Sequence, residues 1–267
     1  MPPRTLVVEF TKMSGAGNDF IVIDNRFYHF SEDELSNFAV RYCARRSGVG
    51  ADGLLALQAS EEQHFRMKYV NADGSVGSMC GNGARCLARY AFDAGIQHEL
   101  LVFETDAGRY EAAVTGDVVR LFVPPHEEFR TVPHDEFGPG RFYIWTGCEH
   151  TVVFVDDVAA VDVANEGARL RRGHQPAGTN VNFVQVAGAA LKVRTFEKGV
   201  EAETLACGTG ATASAAVSRL TGRLSGTHID VHMPGGILGI GFDASGGAKY
   251  LEGPAVTVYR GTLEIPV

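Results

Sequence analysis

The stretch Leu205–Ala213, LACGTGATA, decides how the chain is read, and it has an earlier counterpart in Met79–Cys86, MCGNGARC. In each, a cysteine is followed by Gly, a small polar residue, Gly and Ala, and then by an alanine-rich run that reads as a helix. Cys80 and Cys207 therefore each open a helix. A helix start offers unpaired backbone N–H groups and the positive end of the dipole, which favour a thiolate over a thiol and can hold a carboxylate. Two such thiols suggest a pair working on one anionic substrate.

The two stretches belong to an internal repeat. Adding 127 carries Cys80 to Cys207, Gly81 to Gly208, Gly83 to Gly210, Ala84 to Ala211 and the helix-ending Gly95 to Gly222. A different offset sets GAGNDFIVID, from Gly15, beside TGCEHTVVFVDD, from Thr146; each is a glycine-containing polar turn that leads into a buried strand. The expected fold class is α/β, in two similar domains that face one another and bring their helix starts to a shared cleft. The Pro- and Gly-rich run VPPHEEFRTVPHDEFGPG, 123–140, is the candidate boundary. We expect domains at 1–126 and 127–258, with a last strand near 259–267 returning to the first.

Composition limits the function. Of 267 residues 45% are hydrophobic, enough for two cores, and 24 basic against 32 acidic residues leave a charge of −8. That balance argues against nucleic acid or an anionic membrane surface as the partner. The opening residues lack the long apolar run of a signal peptide, and no later run approaches the roughly 18 apolar residues of a membrane span, so a cytoplasmic protein is expected. Five cysteines (43, 80, 86, 148 and 207) are an odd number, which points to free thiols.

The remaining elements follow in order. Leu6 to Phe10 reads as a strand, GAGND as a turn and FIVIDN as a buried strand. Ser31 to Arg46 reads as a helix with a Ser31/Glu34 capping box and Cys43 on its apolar face. Phe65 to Val70 is a strand ending in the NADGS turn, and two or three strands fit between Leu100 and Val123. Cys86 is expected in the core.

Rival motif readings fare worse. GTGATA matches a dinucleotide fingerprint, with Asp230 some way beyond, but EKGVEAETLA is not the buried strand such a unit needs. His228, Asp230 and His232 alternate on a strand and read as an exposed polar face rather than a metal site, so no metal is expected. A cysteine hydrolase with His150 as base would explain one cysteine motif and leave the other idle. A non-catalytic amino-acid-binding protein would need neither thiol.

MSGAGNDF, NADGS, CGNGAR, GTNVNF and ETLACGTG, in this order and spacing, resemble the diaminopimelate epimerases over nearly the whole chain. The resemblance implies two pseudo-symmetric domains, each a central helix wrapped by mostly antiparallel sheet, with the active site in the cleft between them. It also implies inversion of an amino-acid α-carbon without pyridoxal phosphate or any other cofactor, interconverting LL- and meso-2,6-diaminopimelate. Cys80 and Cys207 would be the acid/base pair, tuned by His150 and Glu197. Gly81, Asn82, Gly208 and Thr209 would bind the reacting carboxylate; Asn18, Asn71, Asn180, Glu197 and Lys198 would be further substrate contacts. The partner would be a small diamino dicarboxylic acid, and a homodimer is compatible with the reading.

The chain departs from that pattern in three places. Where many members read GNPH it has Gly147, Cys148, Glu149, His150, so Cys148 replaces a substrate-contacting Asn. Lys198 stands for the usual Arg, and Gly53 for a Gln found in some members. A cofactor-independent racemase of another amino acid is the alternative these changes keep open. The chemistry of the two thiols agrees with the main reading: inversion needs a base on one face of the carbon and an acid on the other, and thiols can play both parts near neutral pH.

Overall fold

The computed structural model describes residues 5–132, 140–172 and 178–266. The chain forms two units, Met1–Leu121 with Gly253–Val267, and Phe122–Glu252. The changeover falls after Leu121, five residues before the expected boundary at 126. Much of that run, 133–139, lies outside the described residues.

The first unit contains β1 (Thr5–Gly15), β2 (Asn18–Asp24), the one-turn α1 (Asn25–Tyr28), α2 (Glu32–Tyr42), β3 (Gly53–Gln58), β4 (Phe65–Asn71), β5 (Val76–Gly77), α3 (Gly81–Asp93), β6 (Leu101–Thr105), β7 (Gly108–Thr115) and β8 (Val118–Phe122). The β1–β2 hairpin turns through Ala16 and Gly17, both at positive φ, as the GAGND reading requires. β2 runs parallel to β3, β3 antiparallel to β4, β4 antiparallel to β5 and parallel to β6, and β6 antiparallel to β7.

β2 and β3 are buried on both faces, which is why FIVID reads as an unbroken apolar run. Phe20, Val22, Leu55 and Leu57 face α3, packing with Ala84, Leu87, Ala88 and Ala91. Ile21, Ile23, Leu54 and Ala56 face the other way, onto Leu35, Phe38 and Ala39 of α2. Cys43 and Cys86 are core residues, as expected. α2 carries the capping box on Ser31 but stops at Tyr42, four residues short of the reading. There the chain folds back: the amides of Gly50 and Ala51 bond the carbonyls of Tyr42 and Cys43, and Arg46 takes positive φ.

The second unit contains β9 (Glu127–Thr131), β10 (Arg141–Trp145), β11 (Glu149–Phe154), a 3-10 turn (Val158–Ala160), α4 (Val163–Arg172), β12 (Asn180–Ala187), β13 (Ala190–Glu197), β14 (Ala202–Thr204), α5 (Gly208–Leu220), β15 (His228–Met233), β16 (Gly236–Phe242) and β17 (Ala248–Pro254). Its connections repeat those of the first: β10–β11 antiparallel, β11–β12 parallel, β12–β13 and β13–β14 antiparallel, β13–β15 parallel and β15–β16 antiparallel. The final strand, β18 (Val256–Pro266), pairs antiparallel with β1 and starts three residues before the expected return.

The central helices α3 and α5 are related by the offset of 127 at both ends, 81–93 against 208–220. The same offset reaches further back than the sequence reading took it, carrying the first residue of β3, Gly53, to the first residue of β12, Asn180. Both helices end at a glycine with positive φ, Gly95 and Gly222, whose following residues bond back into the last turn. α5 is buried although rich in hydroxyls, because Thr212, Ser214 and Ser218 each donate to the carbonyl four residues earlier.

Candidate active site

Cys80 and Cys207 are the N-cap residues of α3 and α5, both in extended backbone conformation. The Cys80 sulfur accepts the amide of Gly83 at 3.4 Å, the bond a thiolate at a helix start would make. Around it the polar groups form a directed chain. Arg85, wholly buried in the first turn, donates to Asn82 Oδ1 at 2.9 Å and to the Gly81 carbonyl at 3.3 Å. That fixes the Asn82 amide so that Nδ2 donates to Asn18 Oδ1 at 2.5 Å. Asn18 Nδ2 in turn donates to Asp52, which is held by Arg45. Burial pushes the Arg85 pKa down, and among the described residues no carboxylate pairs with it.

Asn71 is held within its own turn: its oxygen accepts the Tyr69 hydroxyl at 2.6 Å and its Nδ2 donates to Ser75. Tyr69 also accounts for Gly53. A Cβ at Gly53 would lie 2.7 Å from the Tyr69 ring and from the Val70 carbonyl, so a Gln has no room there.

In the second unit Cys207 is 7% exposed, and burial pushes its thiol well above the ordinary range, with the nearby Glu197 carboxylate acting in the same direction. The expectation that a helix start favours the thiolate is therefore overridden here by desolvation. Glu197 is itself raised by burial. Gly210 lies against the Cys207 sulfur, 3.3 Å from where its Cβ would be. Thr209 Oγ1 sits 3.4 Å from Cys207 Sγ and 3.5 Å from Cys148 Sγ.

His150 is wholly buried and its pKa is lowered to about 3 by desolvation, so the ring is neutral. Its tautomer follows from its neighbours. Asn182 Oδ1 accepts the Thr195 hydroxyl at 2.9 Å, so the Asn182 Nδ2 donates to His150 Nδ1 at 3.0 Å. The ring proton is then on Nε2, which donates to Cys148 Sγ at 3.3 Å. His150 thus reaches Cys148, and no bond links it to Cys207. This removes the geometry a hydrolase with His150 as the base of Cys207 would need.

Asn180 donates both amide protons internally, to the Glu149 carbonyl at 3.1 Å and Cys148 Sγ at 3.4 Å, and its oxygen accepts the Lys198 amide at 2.8 Å. Lys198 Nζ pairs with Glu149 at 2.7 Å. Both members of this pair stand at positions where the chain departs from the family pattern.

The candidates therefore gather in two groups, one within each unit. Cys80, Gly81, Asn82 and Asn18 form the first, with Gly53 and Asn71 on neighbouring strands; Cys207, Gly208, Thr209, Cys148, His150, Asn180, Glu197 and Lys198 form the second. Sequence reading missed Arg85, Asp52, Tyr69 and Asn182. The second asparagine of GTNVNF and the lone arginine on the apolar start of α3 were the available signals. His228, Asp230 and His232 lie on the exposed face of β15, as read.

Solved structures share this fold at low sequence identity. A phenazine biosynthesis protein of the PhzF family from Enterococcus faecalis superposes with a TM-score of 0.76 over 97% of this chain and 100% of the other, at 15% identity. A hydroxyproline epimerase from Agrobacterium vitis gives 0.68 over 98% and 93%, also at 15% identity. The architecture shared with these structures is two repeats of one α/β unit, and the sequence relatives make the class an isomerase: the chain matches diaminopimelate epimerases over most of its length. The sequence model of diaminopimelate epimerase matches residues 10–122 and 142–258. The diaminopimelate epimerase of Chlorobaculum tepidum is 45% identical over 95% of this chain and the whole of the relative, and that of Aquifex aeolicus 41% identical over 96% and 98%. The chain belongs to the diaminopimelate epimerase family.

Proposed function

We propose that the chain interconverts LL- and meso-2,6-diaminopimelate by a two-base route in which Cys80 and Cys207 exchange protons with the α-carbon. The observation that carries this reading is that each repeat places a cysteine, and nothing else of comparable chemistry, at the same helix N-cap. Inversion needs a base for one face of the carbon and an acid for the other. Cys207, holding its proton through burial, is the acid when Cys80 is the base, and the roles exchange in the opposite direction. Backbone amides at Gly81–Asn82 and Gly208–Thr209 are the groups for the α-carboxylate, onto which the carbanion's charge spreads. Lys198 and Glu197 are assigned to the other end of the substrate, which is taken from the cytoplasm. Among the described residues no helix is long and apolar enough to cross a membrane.

The test is incubation with each isomer in deuterated water. Deuterium should enter the inverted product faster than the remaining substrate, since the base that removes a proton is not the acid that returns one. Cys80→Ala and Cys207→Ala should each abolish inversion. Inversion that survives either substitution, or exchange into substrate without inversion, overturns the reading.

A further inference from the structure

The registers of the two repeats place Cys148 opposite an informative partner. Phe20 pairs with Gly53 in the first unit and His150 with Asn180 in the second, and 53 + 127 = 180, so Phe20 corresponds to His150. Two residues earlier, Asn18 corresponds to Cys148. Their partners correspond as well: Asn18 bonds Asn82 and Cys148 bonds Thr209, and 82 + 127 = 209. One slot, filled by a carboxamide in the first repeat, holds a thiol in the second. A carboxamide in this setting can only fix a neighbour, whereas a thiol can also give up and regain a proton.

The donor inventory sets the direction of the bonds. Cys148 Sγ already accepts from His150 Nε2–H and from Asn180 Nδ2, so its own S–H points to Thr209 Oγ1. A hydroxyl has one proton, and that of Thr209 is left to donate to Cys207 Sγ at 3.4 Å. The line from Cys148 to Cys207 is thus a continuous donor chain that ends on the sulfur. Cys207 is buried, while Cys148 is partly exposed.

We propose that Cys148 is a relay thiol that resets Cys207 between turnovers, passing a proton through the Thr209 hydroxyl. This rests on the two-cysteine reading above. After Cys207 has protonated the substrate it is a thiolate. Cys148 S–H then gives its proton to Thr209 Oγ1 as the Thr209 proton moves to Cys207 Sγ, which leaves a thiol at Cys207 and a thiolate at Cys148. The new thiolate is held by the His150 and Asn180 N–H groups until solvent returns its proton, while Cys80 gives solvent the proton it took from the substrate, so that no net proton is consumed. In the opposite direction each transfer is reversed. No oxidant or second reactant is involved.

A reset step has a kinetic signature that a structural role lacks. It lies outside the path from free enzyme and substrate to the transition state, so slowing it lowers kcat and spares kcat/KM. Initial rates from each isomer should be measured for Cys148→Ala and Cys148→Asn, the second restoring the side chain of the first repeat. We expect kcat to fall on the order of tenfold in both, with kcat/KM within about threefold of the parent. Added imidazole, a small proton carrier, should raise kcat of the variants and leave the parent unchanged. Parallel losses of kcat and kcat/KM, or an unchanged kcat in the alanine variant, would overturn the relay. The deuterium test on the parent enzyme is independent of Cys148, so failure of the relay is distinguishable from failure of the two-base reading.

Discussion

Replacing Gly210 by alanine tests whether the buried polar chain in the second unit is as tightly set as its geometry implies. Within a helix, Gly to Ala is ordinarily stabilising by up to about 1 kcal/mol, so propensity alone predicts a gain. The structure predicts the opposite sign. The added methyl would overlap Asn182 Oδ1 and sit 3.3 Å from both the Cβ and sulfur of Cys207. Asn182 cannot yield without cost, since it accepts from Thr195 and donates to His150 and to the Thr151 carbonyl at 3.2 Å. Losing two of these buried bonds costs about 1 kcal/mol each, and overpacking adds about 1–3 kcal/mol. After the propensity gain, the net loss is about 2–4 kcal/mol, which at about 2–4 °C per kcal/mol for a chain of this size lowers Tm by about 4–16 °C. Scanning calorimetry of parent and variant at one pH and scan rate is the assay. A Tm that is unchanged or raised would refute the argument, because it would mean that Asn182 moves freely and does not fix the His150 tautomer.

Two further outcomes are expected. His150 has a folded-state pKa of about 3 against an ordinary 6.5, so between these values the unfolded chain binds a proton that the native state does not. Its contribution is therefore full above 6.5 and is lost as pH falls towards 3, amounting to about 2 kcal/mol between pH 7 and pH 5. Urea unfolding should show this loss in the parent and not in His150→Gln; equal losses in both would show that the buried ring is not its source. The second outcome concerns Lys198, whose ammonium is engaged by Glu149. Glu149→Gln should free it for an anionic substrate group and lower KM, whereas Lys198→Ala should raise KM about fivefold with kcat within about twofold. A KM unmoved by either change would take Lys198 out of substrate binding.

Much of this protein was legible in its sequence because the information was local and stated twice. A cysteine followed by Gly-x-Gly-Ala marks a helix start whatever surrounds it, and finding it again 127 residues later implied two copies of one unit. The capping box at Ser31, the turns at Gly17 and Gly147, and the glycine helix ends are also short-range, set by φ preferences and by capping bonds between near neighbours. The core roles of Cys43 and Cys86 followed from helical spacing. What only the tertiary structure decided was which side chains meet across strands. The end of α2 at Tyr42 depends on amides eight residues on returning to its last carbonyls. The room denied to a side chain at Gly53 depends on a tyrosine from the neighbouring strand. The tautomer imposed on His150 by Asn182 and the pairing of Lys198 with Glu149 join residues from different elements. Burial, finally, pushes the Cys207 thiol the opposite way from its helix start. Desolvation depends on everything packed around an atom, and no motif of nine residues carries that.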